Sequence, residues 1–321
     1  MPIKFTRRMG AFLADARVEH VMVDPSHTLI SPSDLPVRRL FEVEPPGLLY
    51  HYTTIAGAFG ILSSDALWMT KIRYLNDTSE LEIGIATFRE VLEHLLREAR
   101  PRDELELFDA LRGGLATVAS SNICVASFCE HGDLLSQWRW YGEGGRGVSL
   151  GVSSRVLRGM AKSAINLWKC IYDVEAHRAL LLALVDGLLE AHRGLRAENG
   201  GAVSAEASHL LLQRFFVSFL QIAPIIKNPN FAEEREWRLV SLPVELDDEG
   251  YGVCVIGDRI MQRYELKFPR DPDGWCRAIG QVVVGPTKDP ELIGEAIAVL
   301  CHKNRFECPH IIYSDIPFRS S

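Results

Sequence analysis

The chain has 321 residues, with 35 Lys+Arg against 42 Asp+Glu for a formal charge of -7, and 47% hydrophobic, 9% aromatic and 24% charged residues. These proportions exclude a disordered chain, a collagen-like repeat and a small disulfide scaffold, and a chain of this length can bury roughly three quarters of its unfolded surface. The mildly acidic balance gives no electrostatic reason for strong nonspecific nucleic-acid binding.

Residues 1–46 hold a short basic start (Lys4, Arg7, Arg8) and Pro25, Pro32, Pro36, Pro45 and Pro46, which predict an irregular N-terminal extension; 47–321 reads as a single domain. Leu48-Leu49-Tyr50-His51-Tyr52-Thr53 is strand-like in its aromatic and β-branched content, and Thr53 or Thr54 would cap a short helix carrying Ile55, Phe59 and Leu62. Ala66-Leu67-Trp68-Met69-Thr70 predicts a second strand. Asn76-Asp77-Thr78 predicts a turn and cap ahead of a helix to about Arg97, and a further helix is expected from Asp103 to about Val118. Asn122 to Cys129 reads as an apolar strand, Asp133 as the cap of a short helix holding Leu135 and Trp138, and Gly142 to Gly147 as a turn before a strand at Val148 to Val152.

From Glu175 to Ala223 leucine and alanine dominate, which predicts two helices broken near Gly200, a helical insertion at about 175–226. Strands are expected again at Glu234 to Ser241, Gly252 to Ile256, Gln262 to Phe268 and Ala278 to Val284, then a helix at Glu291 to Cys301 and a last strand at His310 to Tyr313. Strands at both ends of a helical middle point to an α+β fold rather than a doubly wound sheet. The longest uncharged apolar stretch, Phe215 to Ile226, falls short of the about 20 residues of a membrane span. The 7 cysteines form no Cys-x-x-Cys pair and follow a start without an apolar signal segment, so a cytoplasmic protein with free thiols and no membrane partner is expected.

Gly142-Glu143-Gly144-Gly145-Arg146-Gly147 follows a helix and precedes a strand, the reverse of a dinucleotide fingerprint, and reads as a turn. Cys301, His302, Cys308 and His310 lack the paired spacing of a zinc site, so no metal is expected. Leu135-Ser136-Gln137-Trp138-Arg139-Trp140-Tyr141 gathers aromatics around Arg139, either as core or as a cradle for an anionic, aromatic ligand such as a nucleotide. Strand alternation over Glu234-Arg235-Glu236-Trp237-Arg238 would put Glu234, Glu236 and Arg238 on one face, either a salt-bridged solvent face or paired carboxylates with shifted pKa values.

Taken together, these segments resemble a bacterial family catalogued as a domain of unknown function, number twenty-nine seventy-one. The likeness lies in Leu49-Tyr50-His51-Tyr52-Thr53, Leu67-Trp68-Met69-Thr70, Tyr74-Leu75-Asn76-Asp77 with Glu80, Ser127-Phe128-Cys129, Leu135-Ser136-Gln137-Trp138-Arg139 with Tyr141, Gly147-Val148, Glu234-Arg235-Glu236-Trp237-Arg238 and Ser314-Asp315-Ile316-Pro317-Phe318-Arg319, over about residues 48–319. More distantly, a first strand with His51, a later Ser127-Phe128-Cys129 and a still later Glu234-x-Glu236 resemble the ordered signature of ADP-ribosyltransferases.

That resemblance implies a split, mixed β-sheet clamping NAD, with a helical insertion added. By analogy His51 would hold an NAD ribose hydroxyl, Ser127 would order the nicotinamide-side strand, Glu236 would be the catalytic carboxylate and Glu234 would orient the acceptor. Arg73 or Arg139 would meet the pyrophosphate, and Tyr52 or Tyr141 would stack on the nicotinamide. Cys129 stands where a serine-type motif has Ser, and His51 belongs to a different branch's first strand. The expectation is an enzyme with NAD as substrate, a transferase or glycohydrolase of the kind used as a toxin or in phage defence, with a protein or nucleic-acid acceptor and an antitoxin or activating partner. The competing expectation is a nonenzymatic module that senses a nucleotide in the same cleft; a metal-dependent nuclease is a third, for which the sequence supplies little.

Overall fold

The computed structural model describes residues 38–317, apart from 76–78, 119, 143, 162–163 and 257–258. Most of the expected extension (1–37), the Asn76-Asp77-Thr78 turn, Glu143 of the glycine-rich turn and the terminal Phe318-Arg319 lie outside the described residues, as does the Glu80 side chain.

The fold is α+β, with a mixed, open sheet and a layer of helices. The first half runs β1 (Leu48–Thr53), α1 (Ile55–Ser64), β2 (Ala66–Lys71), α2 (Ser79–Leu95), α3 (Arg102–Val118), β3 (Cys124–Cys129), α4 (Leu135–Tyr141), β4 (Val148–Ser153), α5 (Ser154–Met160) and β5 (Ile165–Lys169). The second runs α6 (Val174–Glu198), α7 (Ala205–Ile222), β6 (Glu236–Ser241), β7 (Tyr251–Ile256), β8 (Arg259–Lys267), β9 (Ile279–Val284), α8 (Pro290–Lys303) and β10 (His310–Tyr313). The pairing of β9 with β10 is parallel and the remaining ladders are antiparallel.

Strand β3 is where the sheet divides. Along one edge it pairs with β6 from Val125↔Val240 to Cys129↔Glu236. On the other edge it meets β1 only at Tyr50↔Cys129 and β2 only at Thr70↔Val125 and Lys71↔Cys124. Strands β1 and β2 therefore touch opposite ends of one edge and part between them, leaving Ala126 to Phe128 without a neighbouring strand on that side among the described residues. From β1 the sheet continues through β4 and β9 to β10, and from β2 through β8 to β7.

Period-two alternation buries both faces of β3 and β6. Val125 and Val240 join a core built by α2, α3, α6 and α7, in which Phe88, Phe215 and Phe219 pack with ring centroids 5.0–6.3 Å apart. Ala126, Phe128, Trp237 and Leu239 face a second core with α1, β1 and β4. The helical stretch expected over 175–226 contains α6 and α7, broken at Gly200 and Gly201, whose φ of 69° and 99° favour glycine, and restarted by Ser204, whose hydroxyl accepts from the Ala207 N–H at 3.1 Å.

Two local expectations are corrected. Asp133 does not cap α4: its carboxylate accepts from Trp138 Nε1 and from Ser314 Oγ, each at 2.6 Å, and Leu134 takes the cap position without a side-chain bond. Strand β6 begins at Glu236 rather than Glu234, because Pro229–Glu234 forms a 3-10 turn closed by Arg235 in the left-handed region at φ 43°. The short α5 and β5, between Ser154 and Lys169, were not foreseen; five residues such as Ile165-Asn166-Leu167-Trp168-Lys169 carry too little pattern to separate a strand from a loop.

Candidate functional site

Where β1 and β2 part from β3 there is a cleft of about 470 Å³, within the size range of small-molecule sites. Its walls come from β1 and the start of α1 (Tyr50 to Thr54, Ala56, Gly57), from Trp68 and Thr70 of β2, from Val125 to Ser127 and Cys129 of β3, and from Gln137, Trp140 and Tyr141 of α4. Glu234 and Glu236 also line it, and Val255, Ile256 and Met261 of the β7–β8 hairpin form an apolar rim.

His51 bridges the divided edge. Its Nδ1 lies 2.9 Å from the Ser127 carbonyl, so the side chain spans strands whose backbones no longer pair. A carbonyl only accepts, which places the proton on Nδ1 and leaves Nε2 as an acceptor. Burial lowers the His51 pKa and the bond to Ser127 raises it in part; the net is downward, so the ring is neutral at neutral pH.

Behind the cleft lies a buried quartet of charges. Arg238, 1% exposed, donates from Nε to Glu236 Oε1 at 2.7 Å and from NH2 to Oε2 at 3.0 Å, while its NH1 donates to the Pro224 carbonyl at 2.5 Å. Lys227, 3% exposed, donates to both Glu234 and Glu236. Two carboxylates face two cations, so the cluster has no net charge. Burial pushes the Glu236 carboxyl upward, but Arg238 and then Lys227 outweigh it and hold the pKa at about 2. The same two carboxylates add to burial in driving the Cys129 thiol well above its ordinary range, so Cys129 is no thiolate at neutral pH.

The structure gathers His51, Tyr52, Ser127, Tyr141, Glu234 and Glu236 around one cleft and leaves Arg73 and Arg139, both exposed, outside its lining. Tyr52 is a packed residue: its hydroxyl donates to the His131 carbonyl and accepts from the Leu134 N–H, both at 2.9 Å, and its ring meets Trp138 edge-on at 4.8 Å. The solvated face allowed for Glu236 and Arg238 is overturned by their burial at 3% and 1%. Glu234 joins Glu236 not by strand alternation, which Arg235 interrupts, but through Lys227.

Four residues were not singled out from sequence. Lys227 had a signal: it is the only charged residue between Phe215 and Ala232, and a lone charge in an apolar run is usually paired and buried. Trp140, 71% exposed on the cleft wall, and Gln137, 3% exposed, lay unmarked in the aromatic segment. Tyr172, whose hydroxyl accepts from the Glu236 N–H at 2.9 Å, is fixed only by tertiary contact.

Residues 137–239, from α4 to β6, match the family described as "Protein of unknown function (DUF2971)". That stretch carries Gln137, Trp140, Tyr141, Lys227, Glu234, Glu236 and Arg238. No curated protein and no solved structure matches the chain.

Proposed function

We propose that the cleft binds NAD and that the protein cleaves its nicotinamide–ribose bond, passing ADP-ribose to a macromolecular acceptor or to water. The observation that carries this reading is the conjunction, at one break in the sheet, of a neutral His51 with a free acceptor nitrogen and an ionised, immobilised Glu236 carboxylate. When the glycosidic bond breaks, its electron pair leaves with neutral nicotinamide and positive charge develops at the ribose C1′ and ring oxygen. A carboxylate fixed in a water-poor site and accepting a ribose hydroxyl stabilises that charge without reorganising. His51 Nε2 accepts a second ribose hydroxyl. The nucleophile's lone pair then forms the new bond to C1′ and its proton leaves to solvent or to Glu234.

A second reading, a nucleotide-sensing module without catalysis, is favoured by one observation: Glu234 and Glu236 are already committed to Lys227 and Arg238. Nicotinamide release decides between the two. Glu236→Gln does not isolate catalysis, because it leaves two buried cations facing one carboxylate and destabilises the fold. Trp140→Ala is the better variant, since its ring is exposed on the cleft wall and supports no core. Wild-type protein with cell lysate as a source of acceptors and activating partners should release nicotinamide from NAD, and Trp140→Ala should raise KM roughly 2- to 10-fold through lost ring contact. Binding of NAD without release would leave the sensing module as the better account.

A further inference from the structure

We infer that the first turn of α1 and the side-chain amide of Gln137 form a subsite for the diphosphate of a nucleotide ligand. The assignment rests on reading this cleft as an NAD site, and it moves the phosphate contact away from Arg73 and Arg139, which stand outside the lining.

Two independent features support it. Helix α1 spans ten residues and begins in the cleft wall, with Thr53, Thr54, Ala56 and Gly57 all lining the cleft. Thr54 caps it by accepting from the Gly57 N–H at 2.9 Å, and the first turn carries no acidic residue, so no side-chain carboxylate of the helix itself occupies the positive end of the helix dipole. Thr54 also accepts from the Ala58 N–H through its carbonyl at 2.9 Å, so the Ile55 and Ala56 N–H groups, which lack intrahelical acceptors, are the donors open to an anion there. The second feature is Gln137. The residue is 3% exposed, it lines the same cleft, and its Nε2 has no hydrogen-bond partner among the described residues. Buried donors are ordinarily satisfied, and an unsatisfied one on a residue of the cleft wall is open to completion by a ligand acceptor. A diphosphate carries several acceptor oxygens for these two sets of donors in one cleft, and the formal charges of the Lys227–Glu234–Glu236–Arg238 cluster balance, so it sets no uncompensated negative charge against the ligand. Trp140 and Tyr141, on the same helix as Gln137, offer ring faces for the attached base.

The test is calorimetric titration of the full chain with ADP and with adenosine, which differ only in the diphosphate. Wild-type protein should bind ADP at least about tenfold more tightly than adenosine, and Gln137→Met should weaken ADP about 10- to 100-fold, as expected for one lost bond to a charged acceptor, with adenosine unchanged. Because Gln137 is buried, Ala56→Glu serves as the second variant: Ala56 is exposed, an acid in a helix's first turn favours the helix, and its carboxylate would take the anion's place and lower ADP affinity by a similar factor. Equal affinity for ADP and adenosine in the wild type, no ADP binding, or unchanged ADP affinity in a folded Ala56→Glu would overturn the assignment. Loss of ADP binding in the variants with no NAD cleavage by the wild type keeps the subsite and removes the enzyme reading; NAD cleavage with ADP binding untouched does the reverse.

Discussion

At the scale of single residues the decisive feature is how Glu236 remains charged while buried. Moving an ion out of water is costly, and the cost is met only where geometry is good and remaining lone pairs are bonded. Arg238 supplies a two-pronged contact and Lys227 a second cation, which is why the carboxyl lies at about 2 instead of 4.5. A folded-state pKa below the unfolded one means stabilisation that is complete above the unfolded value and disappears as pH falls toward the folded value. Urea unfolding between pH 5 and 2 should therefore show a loss on the order of 3 kcal/mol from this group. Glu236→Gln, less stable at neutral pH, should lose correspondingly less over that interval; an identical slope in both proteins would mean that Glu236 is not the titrating group. The pair Glu236 and Arg238 was legible from strand alternation. Lys227 was not, because nine residues of sequence and a turn separate it from Glu236, and only the folded chain closes that distance.

At the scale of elements, α1 and β2 set the shape of the cleft. The Arg263 guanidinium lies 3.5 Å from the centroid of the Trp68 ring, Trp68 Nε1 donates to Ser64 Oγ at 3.0 Å, and the ring packs against Gly60 so closely that a Cβ there would come within 1.9 Å of it. Gly60→Ala should force Trp68 into the cleft or tilt α1, destabilising the fold by about 1–3 kcal/mol as other overpacked sites do and weakening NAD binding in step. A stability change without an affinity change would separate Trp68 from ligand contact. The helical stretch at 175–226 gains a role here: α7 leads directly into Pro224, whose carbonyl holds Arg238, and then into Lys227, so the helices anchor the charge cluster from above the sheet. Periodicity revealed those helices because 25 and 18 residues carry many turns. It misplaced Glu234 because a left-handed Arg235 between two acids leaves no trace in hydropathy.

At the scale of the whole molecule, the site exists because one strand is shared by three parts of the sheet. β3 gives one edge to β6 and only the two ends of its other edge to β1 and β2, and the space between holds His51, Ser127 and the start of α1. The α+β class was readable from the order of strands and helices, but the division of β3 was not, since pairing partners distant in sequence are set by packing on both faces. Mapping where NAD touches the chain addresses this directly. Hydrogen exchange of the wild-type protein with and without saturating NAD should slow at residues 51–57 and 126–128 and at the α4 segment 137–141, with the β9–β10 edge unchanged. Protection elsewhere, or none in the presence of saturating NAD, would contradict the account.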